Sequence, residues 1–262
     1  MKKVKALFFA ASLLGGLSYI NYAHHSSGSA TQPDVKNSVE KVTTETPNPK
    51  TEEATAPTSE HLIENFPLIY QMPELPTGCE ITALTMVLNY YDLPADKVEL
   101  ATVYLPTLPS RELYTGSDGR LYGNDLNQYF IGDPTTEGGF ICGTAAIVTA
   151  AEAFLKDRGS SLHVVDRSGS TPEELYSLID ADIPCIVWCT IEMQNRIPQQ
   201  GWYTEEGEYV DWSMCDHGAV LIGYDEEQVT IADPISGFVS YEKQQFEKVF
   251  LSRGNQCVTL EN

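Results

Sequence analysis

Residues 24–60 carry almost no large apolar side chains, and this stretch decides how much of the chain can fold. Ser, Thr, Pro, Glu, Ala and Lys make up most of it. Such a segment cannot bury enough apolar surface to offset the entropy lost on ordering, so we predict a disordered linker. The fold must then form from residues 61–262, about 200 residues, which is the size of one ordinary domain.

The first 23 residues have the layout of an export signal peptide. Lysines at positions 2, 3 and 5 precede an apolar run over residues 6–20. This run is shorter than the roughly 20 residues that a helix needs to span a membrane. Two outcomes stay open: cleavage near Ala23 or Ala30, and retention as an uncleaved N-terminal anchor. With either outcome we expect an exported protein that is secreted or anchored at the cell surface.

The chain is strongly acidic, with a formal net charge of −21 at pH 7. Such a surface repels phosphate backbones and anionic lipid, so it disfavours nucleic acid as a partner and limits membrane contact to an N-terminal anchor. The acidity keeps an exported protein soluble, and it could also attract a basic peptide. We expect a monomer.

Helical patterns come first in the folded part and strand patterns follow, which indicates an α+β fold. The clearest helix begins where Thr77 and Glu80 match a capping box, ahead of an apolar stripe at helical spacing. Residues 106–142 form a long irregular segment that could border a substrate cleft. The other predicted elements are helices near 94–104, 143–155, 171–181 and 242–251, and strands near 162–165, 183–191, 217–224, 228–233, 238–241 and 257–260.

Cys79 lies in the first turn of the capped helix and is the leading candidate for a nucleophile. A cysteine attacks as a thiolate, and a helix N-terminus together with a neighbouring imidazolium lowers the thiol pKa. The free N–H groups of the first turn also favour negative charge. On this reasoning the site favours an anion at Cys79. A buried structural cysteine is the alternative, and position alone does not separate the two.

His217 and Asp233 occupy the two strands of a predicted hairpin. If the chain turns about Asp225 or Glu226, positions whose numbers sum to about 450 face each other, and these two satisfy that rule. Directly opposed residues have Cβ atoms about 5 Å apart. The carboxylate would then fix the imidazole tautomer and stabilise the imidazolium. A register shift of one residue would break the pair, and Asp233-Pro234 could instead be only a turn.

Gln71 is the fourth candidate, eight residues before Cys79 in a segment that Pro73 and Pro76 stiffen. Its side-chain amide and the Cys79 backbone N–H could donate to the oxyanion that forms when a carbonyl is attacked. Such a donor is worth about 3 kcal/mol in well-studied enzymes. The sequence therefore offers Cys79, His217, Asp233 and Gln71 as one set of candidate catalytic residues.

Three blocks of sequence resemble the stand-alone, exported branch of the bacteriocin-leader-processing peptidase-like family, in the papain-like cysteine peptidase superfamily. They are QMPELPTGCE at 71–80, DHGAVLIGYD at 216–225 and IADP at 231–234, and the resemblance covers about residues 66–241. It implies a papain-like fold in which a helical N-terminal half, with the nucleophile helix, packs on an antiparallel sheet. It also implies an exported cysteine peptidase of a Gram-positive bacterium, with Cys79 as nucleophile, His217 as base, Asp233 as orienting acid and Gln71 as oxyanion donor.

One position departs from the family pattern. Leader peptidases that are fused to transporters usually carry an acidic residue just before the cysteine, where this chain has Gly78. No transporter domain is recognised either. Cleavage after a double glycine is therefore not implied, and the substrate stays a peptide or protein with a peptide, isopeptide or amide bond to be cut.

Alternatives to this set of residues stay open. Cys142 also precedes a helix, and a metal site from Cys189, Cys215 and His217 is conceivable, although no pair has a usual zinc-ligand spacing. We expect no metal and no cofactor. Most of the six cysteines are expected to be buried free thiols, with a Cys189–Cys215 bridge as the alternative.

Three functional classes are compatible with the residues. The first is hydrolysis through a thioester acyl-enzyme, and the second is transfer of the same acyl group to an amine acceptor. Both reactions need the same triad, so the sequence does not separate them. The third is a non-catalytic peptide-binding module that has kept the fold.

Overall fold

The structure is a computed structural model that describes residues 60–262. The predicted signal or anchor at residues 1–23 lies outside the described residues, as does the predicted linker up to residue 59. Within residues 60–262, no helix is both long enough and apolar enough to cross a membrane.

The described residues have the α+β arrangement that the sequence predicts. The helices are α1 (Cys79–Tyr90), α2 (Lys97–Glu99), α3 (Thr144–Arg158), α4 (Pro172–Asp180) and α5 (Lys243–Ser252), with a π-helical turn at Leu100–Tyr104 and a 3-10 turn at Ile191–Met193. The strands are β1 (His61–Leu62), β2 (Thr107–Leu108), β3 (Tyr114–Thr115), β4 (Leu121–Tyr122), β5 (Phe130–Ile131), β6 (His163–Asp166), β7 (Cys185–Thr190), β8 (Trp202–Tyr203), β9 (Tyr209–Val210), β10 (Asp216–Tyr224), β11 (Gln228–Asp233), β12 (Gly237–Glu242) and β13 (Cys257–Glu261).

One antiparallel sheet positions the site. Its strand order is β12-β11-β10-β7-β13-β6, and β1 pairs with β10 beside this path. Every residue of β7 and β10 is buried, and the side chains of a strand alternate between faces, so both faces of the sheet centre are covered. The helix α1 packs against β10 and β7. The helix that begins at Cys79 therefore lies on the strand that carries His217, as predicted.

The apolar stripe of α1 holds this helix on the sheet. Leu84, Val87 and Leu88 are completely buried in the main core. Burying one such side chain is worth about 1.5–3 kcal/mol. These contacts fix the N-terminus of α1, and with it the position of Cys79.

The capping box predicted from Thr77 and Glu80 is wrong. The helix begins at Cys79 with Gly78 as its N-cap, and no side chain caps it. Thr77 lies one residue too early, and its hydroxyl donates instead to the carbonyl of Thr136 at 3.0 Å. The carboxylate of Glu80 is consequently free to contact Cys79.

The predicted register of the β10–β11 hairpin is wrong by two residues. Leu221 pairs with Ile231, and an irregularity between Leu221 and Gly223 shifts the pairing nearer the turn. Asp233 therefore lies diagonal to His217 rather than directly opposite. Because side chains alternate with a period of two, an offset of two residues leaves both on the same face of the sheet.

The segment at residues 106–142 is more structured than its composition suggests. It contains β2 to β5, and β3 and β4 join β8 and β9 in a second, four-stranded sheet. A smaller core lies beside this sheet and is built from Leu126, Ile131, Trp202 and Val210. Gly139 packs so closely that a Cβ there would lie 2.1 Å from the Thr77 hydroxyl. The segment thus reaches the turn before Cys79.

Candidate active site

A cavity of about 250 Å³ lies at the N-terminus of α1 and the start of β10. Cys79, His217 and Gln71 all line it, and Asp233 contacts the His217 ring. The structure therefore brings the four predicted site residues together. The other lining residues are Pro76, Thr77, Gly139, Phe140, Ile141, Ile191, Trp212, Ser213, Met214, Asp216 and Ile235.

The Cys79 thiol has two polar neighbours. It donates to Glu80 Oε2 at 3.2 Å, and its Sγ accepts from the backbone N–H of Gly218 at 3.4 Å. Burial, followed by the charge of Glu80, raises the thiol pKa well above its ordinary value. Burial of the thiol and the Glu80 carboxylate in the same helical turn both act against the anion at Cys79 that the sequence analysis expects in the resting site.

The His217 ring is buried against the Asp233 carboxylate. Nε2 and Oδ1 are 3.1 Å apart, within the distance of an ion pair. The same Oδ1 accepts from the N–H groups of Ile235 and Ser236 at 2.7 and 3.0 Å. Burial acts to raise the pKa of Asp233, but His217 and these two donors more than offset it, so the pKa lies below its ordinary value. The carboxylate is thus an anion suited to stabilising an imidazolium.

Gln71 is held in the cavity wall by its backbone and its side chain. Its N–H donates to the carbonyl of Pro234 at 2.9 Å, which ties it to the residue after Asp233. Its Nε2 donates to the carbonyl of Pro76 at 2.9 Å, while its buried Oε1 has no hydrogen-bond partner. An amide nitrogen carries two hydrogens, so the second one is available for an oxygen in the cavity.

Glu80 is a site residue that the sequence analysis missed. Its carboxylate is buried, with Oε2 on the Cys79 thiol and Oε1 accepting from the backbone N–H of Cys142 at 3.2 Å. Burial raises its pKa above the ordinary value of a glutamate. Its position next to Cys79 in the sequence could have indicated a site residue. The sequence analysis assigned it to a capping box with Thr77 instead.

Asp216, the residue before His217, was also missed as a structural support of the site. Its side chain forms ion pairs with Arg196 at 3.0 Å and with Arg253 at 2.9 Å, and it accepts from the backbone N–H of Ser213 at 2.8 Å. All three charged side chains are almost fully buried. A buried ion pair is costly to break, so this network holds the start of β10 in place.

The alternatives from the other cysteines are not supported. All six cysteines are free thiols in the structure, so the Cys189–Cys215 bridge is absent, and Cys215 Sγ lies 3.3 Å from Ser213 Oγ.

Within residues 60–262, no group of three or more His, Cys, Asp or Glu side chains could hold a metal ion. Burial raises the pKa of Cys142 well above its ordinary value, and the carbonyl of Cys142 accepts from the Trp188 indole at 2.8 Å. Cys142 is thus placed as a packed core residue.

Apolar side chains form much of the cavity wall. The rings of Phe140 and Trp212 meet edge to face with centroids 4.7 Å apart. Met214 and Ile235 also line the cavity, and they are 59% and 42% exposed. An exposed apolar rim at a concave site is typical of a surface that binds an apolar group.

Comparison with known proteins gives the same family from sequence and from structure. The model of the Peptidase_C39-like family matches residues 63–258. The uncharacterized protein YvpB of Bacillus subtilis (strain 168) is 29% identical over 191 residues, which cover 72% of this chain and 71% of YvpB.

Among solved structures, a Bacillus anthracis protein assigned provisionally as a C39-like peptidase is similar, with a TM-score of 0.67 and 28% identity. The match covers 78% of this chain and 98% of that protein. A double-glycine-motif protease from an AMS/PCAT transporter, in complex with its leader peptide, matches at a TM-score of 0.39 and 20% identity over 74% of this chain and 89% of that one. That score is too low to support an inference. The predicted papain-like α+β fold is confirmed by the family match and by the Bacillus anthracis structure.

Proposed function

The chain belongs to the Peptidase_C39-like family, and from that premise we propose that it is a cysteine peptidase with Cys79 as its nucleophile. His217 would act as the base, Asp233 would stabilise the imidazolium, and Gln71 would donate to the oxyanion. The observation that carries this proposal is the convergence of Cys79, His217 and Gln71 on one cavity, with Asp233 3.1 Å from the His217 ring.

The first half of the reaction forms a thioester. The Cys79 proton moves to the His217 ring, and the sulfur attacks the carbonyl carbon of the substrate to give a tetrahedral oxyanion. When this intermediate collapses, the C–N bond breaks and the amine leaves with the proton from His217. The acyl group stays on Cys79 as a thioester.

The second half returns the enzyme to its starting state. His217 takes a proton from a water molecule, whose oxygen attacks the thioester carbonyl. Collapse breaks the C–S bond, releases the carboxylic acid and restores the Cys79 thiol. In both halves the developing oxyanion would receive hydrogen bonds from the Gln71 amide and from the Cys79 N–H, each worth about 3 kcal/mol in well-studied enzymes.

The apolar wall supports a substrate with a large apolar side chain next to the bond that is cut. Phe140, Trp212, Met214 and Ile235 offer contact area, and a glycine at that position would leave it unused. We therefore propose that the substrates are peptides with a large apolar residue next to the bond that is cut. The acidic chain supports basic flanking residues in the substrate, and its N-terminal sequence supports action outside the cytoplasm.

A peptide library tests the proposed function. Wild type, Cys79→Ala and the control Cys142→Ala would each be incubated with the same library and analysed by mass spectrometry. We expect wild type and Cys142→Ala to cut the same peptides and Cys79→Ala to cut none. Products joined to an added amine instead of water would identify acyl transfer. Equal cleavage by wild type and Cys79→Ala would contradict the proposal.

A further inference from the structure

Glu80 is an ionisable group within hydrogen-bond distance of the proposed nucleophile. Its side chain is 1% exposed, and Oε2 lies 3.2 Å from Cys79 Sγ. The carboxylate occupies the first turn of α1, where its own backbone N–H and that of Cys142 both contact it. These two donors therefore stabilise the carboxylate of Glu80 in the resting structure, whereas Cys79 Sγ accepts from the Gly218 N–H at the longer distance of 3.4 Å.

The backbone of β10 confines Glu80 to this place. A Cβ at Gly218 would lie 2.8 Å from Glu80 Cγ and 2.9 Å from Glu80 Cα, so the strand and the helix touch without any intervening side chain. With Gly218 on one side and the Cys142 N–H on another, the carboxylate has little room to turn away from Sγ.

Other ionisable groups face this pair from the surrounding elements. They are His217 on β10, Cys142 before α3, Cys189 on β7 and the Arg253 guanidinium after α5. His217 acts to lower the pKa of Glu80, but burial outweighs it and the net shift is upward. Arg253 is already paired with Asp216 at 2.9 Å. Glu80 is the neighbour that shares a proton directly with Cys79.

We propose that Glu80 is a positioning residue that keeps Cys79 protonated in the resting site and so sets the pH at which the thiolate forms. The consequence of this role for catalysis rests on the proposed function. The pH at which the Cys79 thiolate forms can be measured without it.

The proton balance explains the effect. In the resting site the proton is on Sγ and points to the carboxylate. When it moves to His217, the thiolate and an ionised Glu80 become two like charges in contact, which disfavours the thiolate. A proton on Glu80 removes this repulsion, because the neutral carboxyl group can donate a hydrogen bond to the sulfur anion. The thiolate therefore forms more easily when Glu80 is neutral.

Glu80→Gln imitates the neutral state. The amide oxygen can still accept from the Cys142 N–H, and the amide nitrogen can donate to a thiolate. We expect the pH midpoint for alkylation of Cys79 to fall by at least about one unit. This equals at least about a tenfold larger fraction of thiolate at any pH below both midpoints.

The measurement is the rate of iodoacetamide alkylation of Cys79 at pH values between roughly 5 and 10, located by mass spectrometry. A lower midpoint displaces the rate–pH curve of the variant to lower pH even where the wild-type midpoint lies above this range. Glu247→Gln is the matched control, because Glu247 is a carboxylate on α5 that accepts from the Tyr176 hydroxyl at 3.0 Å, outside the cavity. Its midpoint should equal that of wild type. Circular dichroism would show that each variant is folded.

Two results would overturn the inference: a midpoint in Glu80→Gln that equals that of wild type, or one that moves upward. A purely structural role for Glu80 predicts the first of these. If Glu80→Gln does not fold, Glu80→Asp decides, since its shorter side chain withdraws the carboxylate from Sγ and should lower the midpoint by a smaller amount. An unchanged midpoint there would also overturn it.

The labelling experiment needs no substrate, so it fails independently of the proposed function. Peptide cleavage that depends on Cys79, together with unchanged midpoints, would reject the role of Glu80 alone. If the midpoint shifts but the protein cuts no peptide, the proposed peptidase function is rejected and the effect of Glu80 on the Cys79 thiol stands.

Discussion

The negative charge of the Asp233 carboxylate can be removed with little change in the size and shape of the side chain. Asparagine at this position keeps an oxygen for the N–H groups of Ile235 and Ser236. It lacks the negative charge that would stabilise an imidazolium at His217 in the proposed mechanism. We expect Asp233→Asn to lower kcat/KM by about tenfold or more. A peptide that wild type cuts would serve as substrate, and an unchanged kcat/KM would contradict the assigned role.

Asp233 should also contribute to acid stability, and the sign follows from its lowered pKa. A carboxyl group with a depressed folded-state pKa stabilises the protein above its unfolded pKa of about 3.9 and loses that contribution as the pH falls through the folded pKa. The free energy of unfolding of wild type relative to Asp233→Asn should therefore be larger near pH 6 than near pH 3. Urea denaturation at both pH values measures it. A difference that does not change with pH would show that the pKa is not depressed.

At the residue scale, the residues that line the cavity could be selected from residue type and order, and the contacts between distant parts of the chain could not. Cys79, His217 and Gln71 were identifiable from their place at a helix start, a strand start and a proline-stiffened segment. The buried position of the Glu80 carboxylate depends on a contact with Cys142, 62 residues further along the chain. A short pattern with Thr77 cannot contain that information, so it gave the wrong cap.

The junction of α1 with β10 depends on the absence of a side chain at Gly218. A Cβ there would meet the Cα and Cγ of Glu80 at under 3.0 Å, so strand and helix would have to separate. We expect Gly218→Ala to lower the free energy of unfolding by about 1–3 kcal/mol and to abolish cleavage. Gly138→Ala is the control, because its nearest neighbour would be an ordinary 3.6 Å away. Chemical denaturation that finds the two variants equally stable would refute this packing account.

The rim of the cavity belongs to the loop before β10 and to the turn after β11, where Met214 and Ile235 are exposed. Met214→Ser should raise KM for peptides with a large apolar residue and leave kcat nearly unchanged, because it removes contact area and no reacting group. Its stability should stay within about 0.5 kcal/mol of wild type. Leu251→Ser, at an exposed position on α5 outside the cavity lining, is the control. Equal KM values for the two variants would show that the rim does not bind substrate.

At the element scale, helices and long strands were predictable and the register between them was not. The pattern of hydrophobic residues predicts the strands β10 and β11. The same pattern does not show the irregularity between Leu221 and Gly223 that shifts their pairing. The predicted pair of His217 and Asp233 nonetheless meets, because the error of two residues equals the repeat of a strand. Strands of two residues, such as β3 and β4, are too short to show any period.

The whole molecule depends on a buried ion network that joins parts of the chain distant in sequence. Asp216 at the start of β10 pairs with Arg196, after β7, and with Arg253, after α5. Asp216→Asn would remove the carboxylate that pairs with the buried Arg253 and would leave Arg196 with Asp211, at 2.6 Å, as its counter-ion, so we expect a loss of about 3 kcal/mol or more. The control is Glu99→Gln, which breaks an exposed pair with Arg158 and should cost about 0–1 kcal/mol. Equal losses on thermal or urea unfolding would contradict this account.

Such a network could not be predicted from one sequence. Aspartate and arginine are usually exposed, and nothing in the residues around Arg196 or Arg253 indicates burial. The prediction of one α+β domain needed only the order of the elements and the apolar content of residues 61–262. The family resemblance supplied the papain-like arrangement, which residue patterns alone did not reach.

The central claim is that sulfur at Cys79 attacks while His217 takes its proton, and a peptidyl electrophile tests it most directly. A peptide with a thiol-reactive group in place of the bond to be cut would be offered to wild type and to His217→Ala. We expect one label per chain, on Cys79, at least about ten times faster than on any other cysteine, and a large loss of rate in His217→Ala. Equal labelling of Cys142, or an unchanged rate in His217→Ala, would contradict the claim.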